Sequence, residues 1–398
     1  MEEEKVTIVD AIMGSGKTSW AIQNMAKRFD ENILYIAPLL DETERIRDGC
    51  RDTRDFKLPQ NKGEGKLSNI KSLFKRQDDI ASTHQLFKMF DEECKRLIRE
   101  GEYVLYVDET VEAVEPYEIQ HRDSVNMLLR NSIQIQSDGR VDWIDDDIDT
   151  EFNEIKILAQ NHSLYLIDNT MAVWQYPAEI FTLFKKVYIM TYLFDGSILK
   201  KYFDLNGVSY QICGIQNNNG QYKLVKPFQP DMSSIRNLIH LYSEPDLNDT
   251  RQKRNVLSST WCKNNKPQLR SIKNSIYNYL HNKMNAKSGQ IMWSCFTRFR
   301  DNLKGGGYGN KDCFVEYNCR GTNKHKSKNV LVYAVNVYPH TVVNRFFSTR
   351  GLEINVDDYA LSTMVQWIWR SAVRDGNEVW IYIPSRRMRE ILTAWLSS

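Results

Sequence analysis

The chain has 398 residues, which at about 150 residues per domain allows two or three domains and a sizeable core. Its 53 Lys and Arg against 51 Asp and Glu leave a net charge of +2, which excludes a uniformly basic coat while permitting a local basic groove. No apolar run reaches membrane-spanning length and the seven cysteines form no CxxC pair, so a membrane span, a zinc ribbon and a disulfide framework are not supported, and a reducing compartment is expected.

The first residues, Met1, Glu2, Glu3 and Glu4, are the opposite of a basic signal peptide, so the expectation is a soluble, cytoplasmic protein. Residues 6–9 form a short, β-branched apolar run suited to a buried parallel strand, and from Ser19 the pattern turns helical through Ala21, Ile22, Met25 and Ala26. Between them lies Ala11, Ile12, Met13, Gly14, Ser15, Gly16, Lys17, Thr18, Ser19, a phosphate-binding loop. Gly14 and Gly16 permit backbone conformations that present successive N–H groups to a phosphate at the helix N-terminus. Lys17 would reach the β and γ phosphates and the Thr18 hydroxyl would hold a magnesium ion, so ATP and Mg2+ are the expected cofactors. Ala11 departs from the usual pattern, standing where the first Gly is normally found.

A second strand over residues 32–37 ends at Pro38 and Leu39, beyond a strand end where an open sheet places ligand contacts; an ordinary strand-to-helix loop is the plain alternative. Residues 51–78 are polar and read as a surface excursion, after which residues 79–87 resume a strand-to-helix pattern. There Thr83 with His84 is a candidate nucleic-acid contact, although Ser82 or Thr83 can simply cap the helix. Residues 102–107 form an apolar strand ending in Asp108 and Glu109, the spacing expected when one carboxylate holds magnesium through water and the next polarises the attacking water. Residues 112–160, with a helix-like run at 125–129 and the acidic cluster Asp142, Asp145, Asp146, Asp147, Asp149 and Glu151, read as a largely solvated insertion. A strand at 186–190 exits through Thr191, a candidate for relaying hydrolysis to a neighbouring domain or, more simply, a helix cap.

The chain then alternates short strand-like pieces and turns, giving an expected division into a first domain over 1–205, a connection over 206–250 and a second α/β domain over 251–398. The second domain is expected to contain a helix over about 267–284, strands at 290–294, 330–335 and 378–383, a helix over about 357–374 and a terminal helix from Arg386. Gln366, Arg370 and Arg374 are spaced four apart and would share one helical face, offering guanidiniums to the charge developing on a transferred phosphate. A solvated basic face is the alternative, and Trp367 and Trp369 are expected in the core.

These segments, in this order, resemble the superfamily two helicases, and most closely their phage and mobile-element branch. Residues 11–18 are similar to motif I, 38–45 to motif Ia, Thr83 and His84 to motif Ib, 108–110 to motif II and 191–194 to motif III. In the second half, 293–297 resembles motif IV, 318–323 motif V and 366–374 motif VI, with a four-residue step from Arg370 to Arg374 where the family more often has three. The resemblance implies two tandem RecA-like parallel-sheet domains, ATP between them, and single-stranded or forked DNA across both, with RNA not excluded. It implies backbone contacts from Pro38, Leu39, Thr83, His84, Thr322 and Asn323, and stacking of bases on Phe296. The implied activity is that of a monomeric ATP-dependent DNA helicase or translocase in phage replication or recombination, acting in the host cytoplasm and with replication or recombination proteins as partners. Two alternatives stay open: an ATP-switched nucleic-acid-binding or loader module, and a DNA-packaging motor ATPase, against which the paired arginines and the lack of a nuclease-like acidic cluster argue.

Overall fold

The computed structural model describes residues 4–61, 65–119, 132–145, 152–167, 171–228, 233–249, 251–319 and 324–397. The chain folds into two units: Met1–Ala11, Ser15–Pro227 and Pro339–Ile354 form one, and Ile12–Gly14, Phe228–Tyr338 and Asn355–Ser398 the other.

In the first unit β1 (Val6–Asp10), β2 (Ile33–Ala37), β3 (Ile80–Thr83) and β4 (Val104–Asp108) belong to the principal sheet. Four strands of an insertion follow: β5 (Val114–Tyr117), β6 (Ile133–Ile135), β7 (Val141–Trp143), β8 (Leu164–Ile167), joined by β9 (Met171–Gln175). The principal sheet is completed by β10 (Lys186–Thr191), β11 (Tyr210–Asn218) and β12 (Gln221–Val225), in the order β12-β11-β1-β10-β4-β2-β3. All its pairings are parallel except β11 with β12. Every residue of β2 is fully buried, which is why its sequence reads as a continuous apolar run: a parallel strand covered on both faces has no polar side to alternate with. Helix Lys17–Met25 covers one face by burying Trp20, Ala21 and Met25, and Trp20 meets Tyr188 edge-on at 5.2 Å.

Three expectations are corrected here. Residues 51–78 are not merely a surface excursion, because helix Lys66–Lys75 buries Ile70, Leu73 and Phe74, and Arg54 pairs with Asp79 at 2.7 Å. The same Asp79 accepts the Ile33 N–H at 2.9 Å, so a polar-looking segment is tied to the start of β2. The insertion is not mainly solvated either: antiparallel β5-β9-β8, hairpin β6-β7 and helix Asn153–Gln160 enclose their own core of Ile133, Val141, Ile155, Ala159, Leu164, Leu166 and Ala172. Of its acidic residues, Asp142 pairs with Arg140 at 3.0 Å and Asp145 accepts from Ser132 at 3.1 Å, while Asp146, Asp147, Asp149, Glu151 and the run 125–129 lie outside the described residues. Finally, β11 and β12, read as part of a connection, extend the first sheet beyond β1.

Helix Thr341–Ser348, late in the sequence, also belongs to the first unit, where Phe346 meets Tyr165 edge-on at 5.7 Å and Arg350 lies 3.9 Å over the Phe346 ring. The second unit is built on β13 (Ile239–Leu241), β14 (Ile291–Ser294), β15 (Val330–Tyr333) and β16 (Val379–Tyr382), all parallel in the order β13-β16-β15-β14. Its core holds Trp293, Tyr279 and Tyr308, and Trp367 and Trp369 are buried as expected. The terminal helix Arg386–Ser397 carries a buried Arg387 that donates to Asp357 at 2.8 Å, Asn336 at 2.7 Å and the Val356 carbonyl at 2.6 Å. The mixed α/β architecture with two parallel-sheet, RecA-like domains is therefore the fold of the molecule.

Candidate nucleotide-binding site

The helix Lys17–Met25 begins at Gly16, which is left-handed (φ 93°), with Gly14 also at positive φ (81°). No side chain caps this N-terminus, where the helix dipole favours an anion. Ser15 Oγ, in the same loop, is buried and has no hydrogen-bond partner among the described residues, a second sign that the loop is shaped for an oxygen-rich ligand. Met13 lies in the turn ahead of Gly14, and Thr18 and Ser19 occupy the helix's first turn. Ala11, in place of a glycine, uses its backbone: its carbonyl accepts from the Lys17 ammonium and its N–H donates to Thr191 O at 3.0 Å. Burial pushes the Lys17 amine down to about 8, against the opposing attraction of Asp108, Asp10 and Glu109.

β4 ends in the two carboxylates. Asp108 Oδ2 accepts from the Tyr35 hydroxyl at 2.8 Å. Burial, reinforced by Glu109, raises the Asp108 pKa, and the Tyr35 hydroxyl and Lys17 oppose that rise. Glu109 has a left-handed backbone (φ 61°), which costs a residue with a Cβ roughly 1–3 kcal/mol. Two hydrogen bonds hold that turn: Glu109 N donates to Met190 O at 2.9 Å and His84 Nε2 to the Asp108 carbonyl at 3.0 Å. A carboxylate oxygen such as that of Asp108 and a hydroxyl such as that of Thr18 are hard donors of the kind that Mg2+ takes.

Sequence reasoning passed over two residues of this site. Asp10, at the end of β1, accepts the N–H groups of Leu193 (2.9 Å) and Phe194 (3.0 Å), joining the loop directly to the exit of β10, where Thr191 is buried opposite it in register. Tyr35 is the other. Both looked like ordinary strand residues; for Asp10 the one available signal was a polar end on an otherwise apolar run, and for Tyr35, in the middle of β2, there was none.

The remaining candidates fall in different settings. Thr83 caps helix His84–Phe87 by accepting from Leu86 N, and His84 is buried, so both have structural employment. Pro38 is partly exposed and Leu39 is 40% exposed beyond β2. Phe296 follows β14 and packs edge-on to Tyr317 at 5.3 Å; Thr322 and Asn323 lie outside the described residues.

Gln366, Arg370 and Arg374 do not share a helical face. Helix Val356–Ile368 ends before the arginines, because Ser371 turns extended (ψ −168°) and its hydroxyl donates to Ile368 O at 2.6 Å, satisfying a terminal carbonyl. The Ala372 N–H then leaves to Lys328 O at 2.8 Å. Gln366 stays on the helix, Arg370 sits in the following turn at 6% exposure, and Arg374 is exposed on a separate 3-10 turn.

Family comparisons match residues 114–174 to the YonV middle domain and 233–396 to the YonV C-terminal Rossmann-like domain. The first range coincides with the insertion from β5 to β9. Among solved structures the chain is similar to XPD_APO (TM-score 0.52, 12% identity, 98% of this chain and 95% of that one). It is also similar to S. tokodaii Xpd4 (TM-score 0.50, 14% identity, 98% and 94%). At these identities the likenesses show the fold alone, two RecA-like parallel-sheet domains. No helix among the described residues is long and apolar enough to cross a membrane. A Bacillus subtilis (strain 168) protein, the "SPbeta prophage-derived uncharacterized protein YonV", is 36% identical over 411 residues, covering 99% of each chain. With that identity along its whole length, the chain belongs to the YonV family.

Proposed function

We propose that this protein is an ATP-dependent DNA helicase or translocase, in which hydrolysis at the loop of residues 11–18 drives movement along single-stranded or forked DNA during prophage replication or recombination. One observation carries the reading: Lys17, Asp108 and Glu109 converge electrostatically at a helix N-terminus without a side-chain cap, and the loop leading into it holds the buried Ser15 hydroxyl with no partner among the described residues. The helicase-like fold and the prophage-derived relative support it.

In this mechanism Met13 to Ser19 cradle the phosphates and Lys17 neutralises the β and γ oxygens. Thr18 and Asp108 would hold Mg2+, which would supply neutralisation of charge on the phosphate oxygens. Glu109, its backbone locked by Met190 and its neighbour by His84, accepts the proton of the attacking water. The donated Lys17–Ala11 and Ala11–Thr191 contacts, with Asp10 gripping Leu193 and Phe194, give the loop a short covalent and hydrogen-bonded route to β10, which suits Thr191 for coupling. Arg370 or Arg374 would add positive charge to the transition state, with Gln366 as a polar neighbour, and Pro38, Leu39, Thr83, His84, Phe296, Thr322 and Asn323 are the candidate nucleic-acid contacts.

The test is strand displacement by the purified chain on blunt, tailed and forked duplexes with ATP and Mg2+. Displacement that needs a single-stranded tail and disappears in Lys17→Ala is the expected result. DNA-stimulated hydrolysis without displacement or movement would replace the helicase by a loader or switch module.

A further inference from the structure

Asp108 is gripped from the neighbouring strand. β2 and β4 run parallel, with Tyr35 registered opposite Tyr106 and Ile36 opposite Val107, so the Tyr35 side chain is one strand away from the acidic strand end. Its ring is wholly buried and its hydroxyl donates to Asp108 Oδ2 at 2.8 Å. An ionised carboxylate is acceptor-only, so the proton lies on the phenol. A phenylalanine would fill the same core volume with no polar group to satisfy, whereas the tyrosine directs its one polar atom at the carboxylate. A hydrogen bond to Oδ2 from a ring that is itself held in the core restrains the rotation of the carboxylate.

We propose that Tyr35 is a positioning residue for the metal: it holds the Asp108 carboxylate in the orientation in which it would meet Mg2+ or its bound water. This rests on the nucleotide-site reading above and deepens it, since outer-sphere hydrogen bonds to metal-holding groups orient them and tune their affinity. Tyr35 touches neither nucleotide nor metal; it acts through Asp108.

The test is Tyr35→Phe, which deletes only the hydroxyl. Mn2+, a paramagnetic stand-in for Mg2+, is titrated by EPR into the protein saturated with a non-hydrolysable ATP analogue, and analogue affinity is measured separately in EDTA. The variant should bind Mn2+ about 10–100-fold more weakly, the range typical of lost outer-sphere partners, with metal-free analogue affinity within about twofold of wild type. In an Asp108→Ala background the same change should have no further effect on Mn2+ affinity, because the two residues act as one unit. Unchanged Mn2+ affinity, an undiminished effect without Asp108, or an equal loss of metal-free nucleotide affinity each overturns the proposal. Failure of the wild-type chain to bind the analogue at all, or retention of that binding by Lys17→Ala, overturns the nucleotide site itself and is seen before Tyr35 is tested.

Discussion

Lys17→Met removes the ammonium and keeps an unbranched side chain, and it should stabilise the nucleotide-free protein while abolishing nucleotide binding. Burial lowers the Lys17 amine from its ordinary 10.5 to about 8, even with Asp108, Asp10 and Glu109 pulling the other way. At about 1.36 kcal/mol per pKa unit, the charged amine destabilises the folded state by roughly 3 kcal/mol at neutral pH, with the carboxylate attraction already included. Lys17 keeps some solvent exposure, which screens part of this, so the expected gain is about 2 kcal/mol. The sign with pH follows directly. The folded amine is the weaker base, so the unfolded chain binds more protons between about pH 8 and 10.5, and wild-type stability from this group rises across that window; below it the full penalty is present. Denaturant unfolding of both proteins at pH 7 and pH 10 measures the effect: a gap of about 2 kcal/mol should shrink below about 1 kcal/mol at the higher pH. A variant less stable than wild type at pH 7, or a gap that does not close, refutes the reasoning. Such a gain on losing a functional group is the usual mark of a site that gives up stability for binding.

Glu109→Gln should bind ATP and single strands while turning over at most slowly, since the amide keeps the shape and cannot accept a proton; filter binding alongside steady-state hydrolysis separates the two. If one of Arg370 and Arg374 acts on the transferred phosphate, its change to Ala should lower turnover by about 10³ to 10⁵ with nucleotide affinity largely retained, and a loss under tenfold for both variants removes that role. Arg387→Ala should instead lower stability by about 1–3 kcal/mol or more, because it leaves Asn336 Oδ1 and the Val337 and Val356 carbonyls without their donor while Asp357 keeps Arg254, and a melting curve reads this without any assay of activity. Affinity for single-stranded DNA should fall with salt along a shallow log–log slope worth only a few phosphate contacts, as the net charge of +2 implies, and an oligonucleotide titration at several salt concentrations measures it.

The glycine-bearing turn between β1 and helix Lys17–Met25, the strand ends at Asp108 and Thr191 and the parallel-sheet architecture were legible in the amino-acid sequence alone, because each depends on local rules. Buried parallel strands must be apolar throughout, as in β2, and a loop that exposes N–H groups must place Gly at positions such as 14 and 16. What only the tertiary structure decided were contacts between residues far apart in the chain. Tyr35 and Asp108 are 73 positions apart, and Asp10 and Leu193 are 183 apart, so no local pattern announces either pair. The core of the insertion escaped notice because its strands are three to five residues long, too short to show a period. Helical spacing from Gln366 to Arg374 was real in the sequence and misleading in space: a single serine, with its hydroxyl on the Ile368 carbonyl, ended the helix between the glutamine and the second arginine. Periodicity states which face a residue would occupy if the helix continued, and only the competition for backbone hydrogen bonds, settled here by Ser371 and Lys328, determines whether it does.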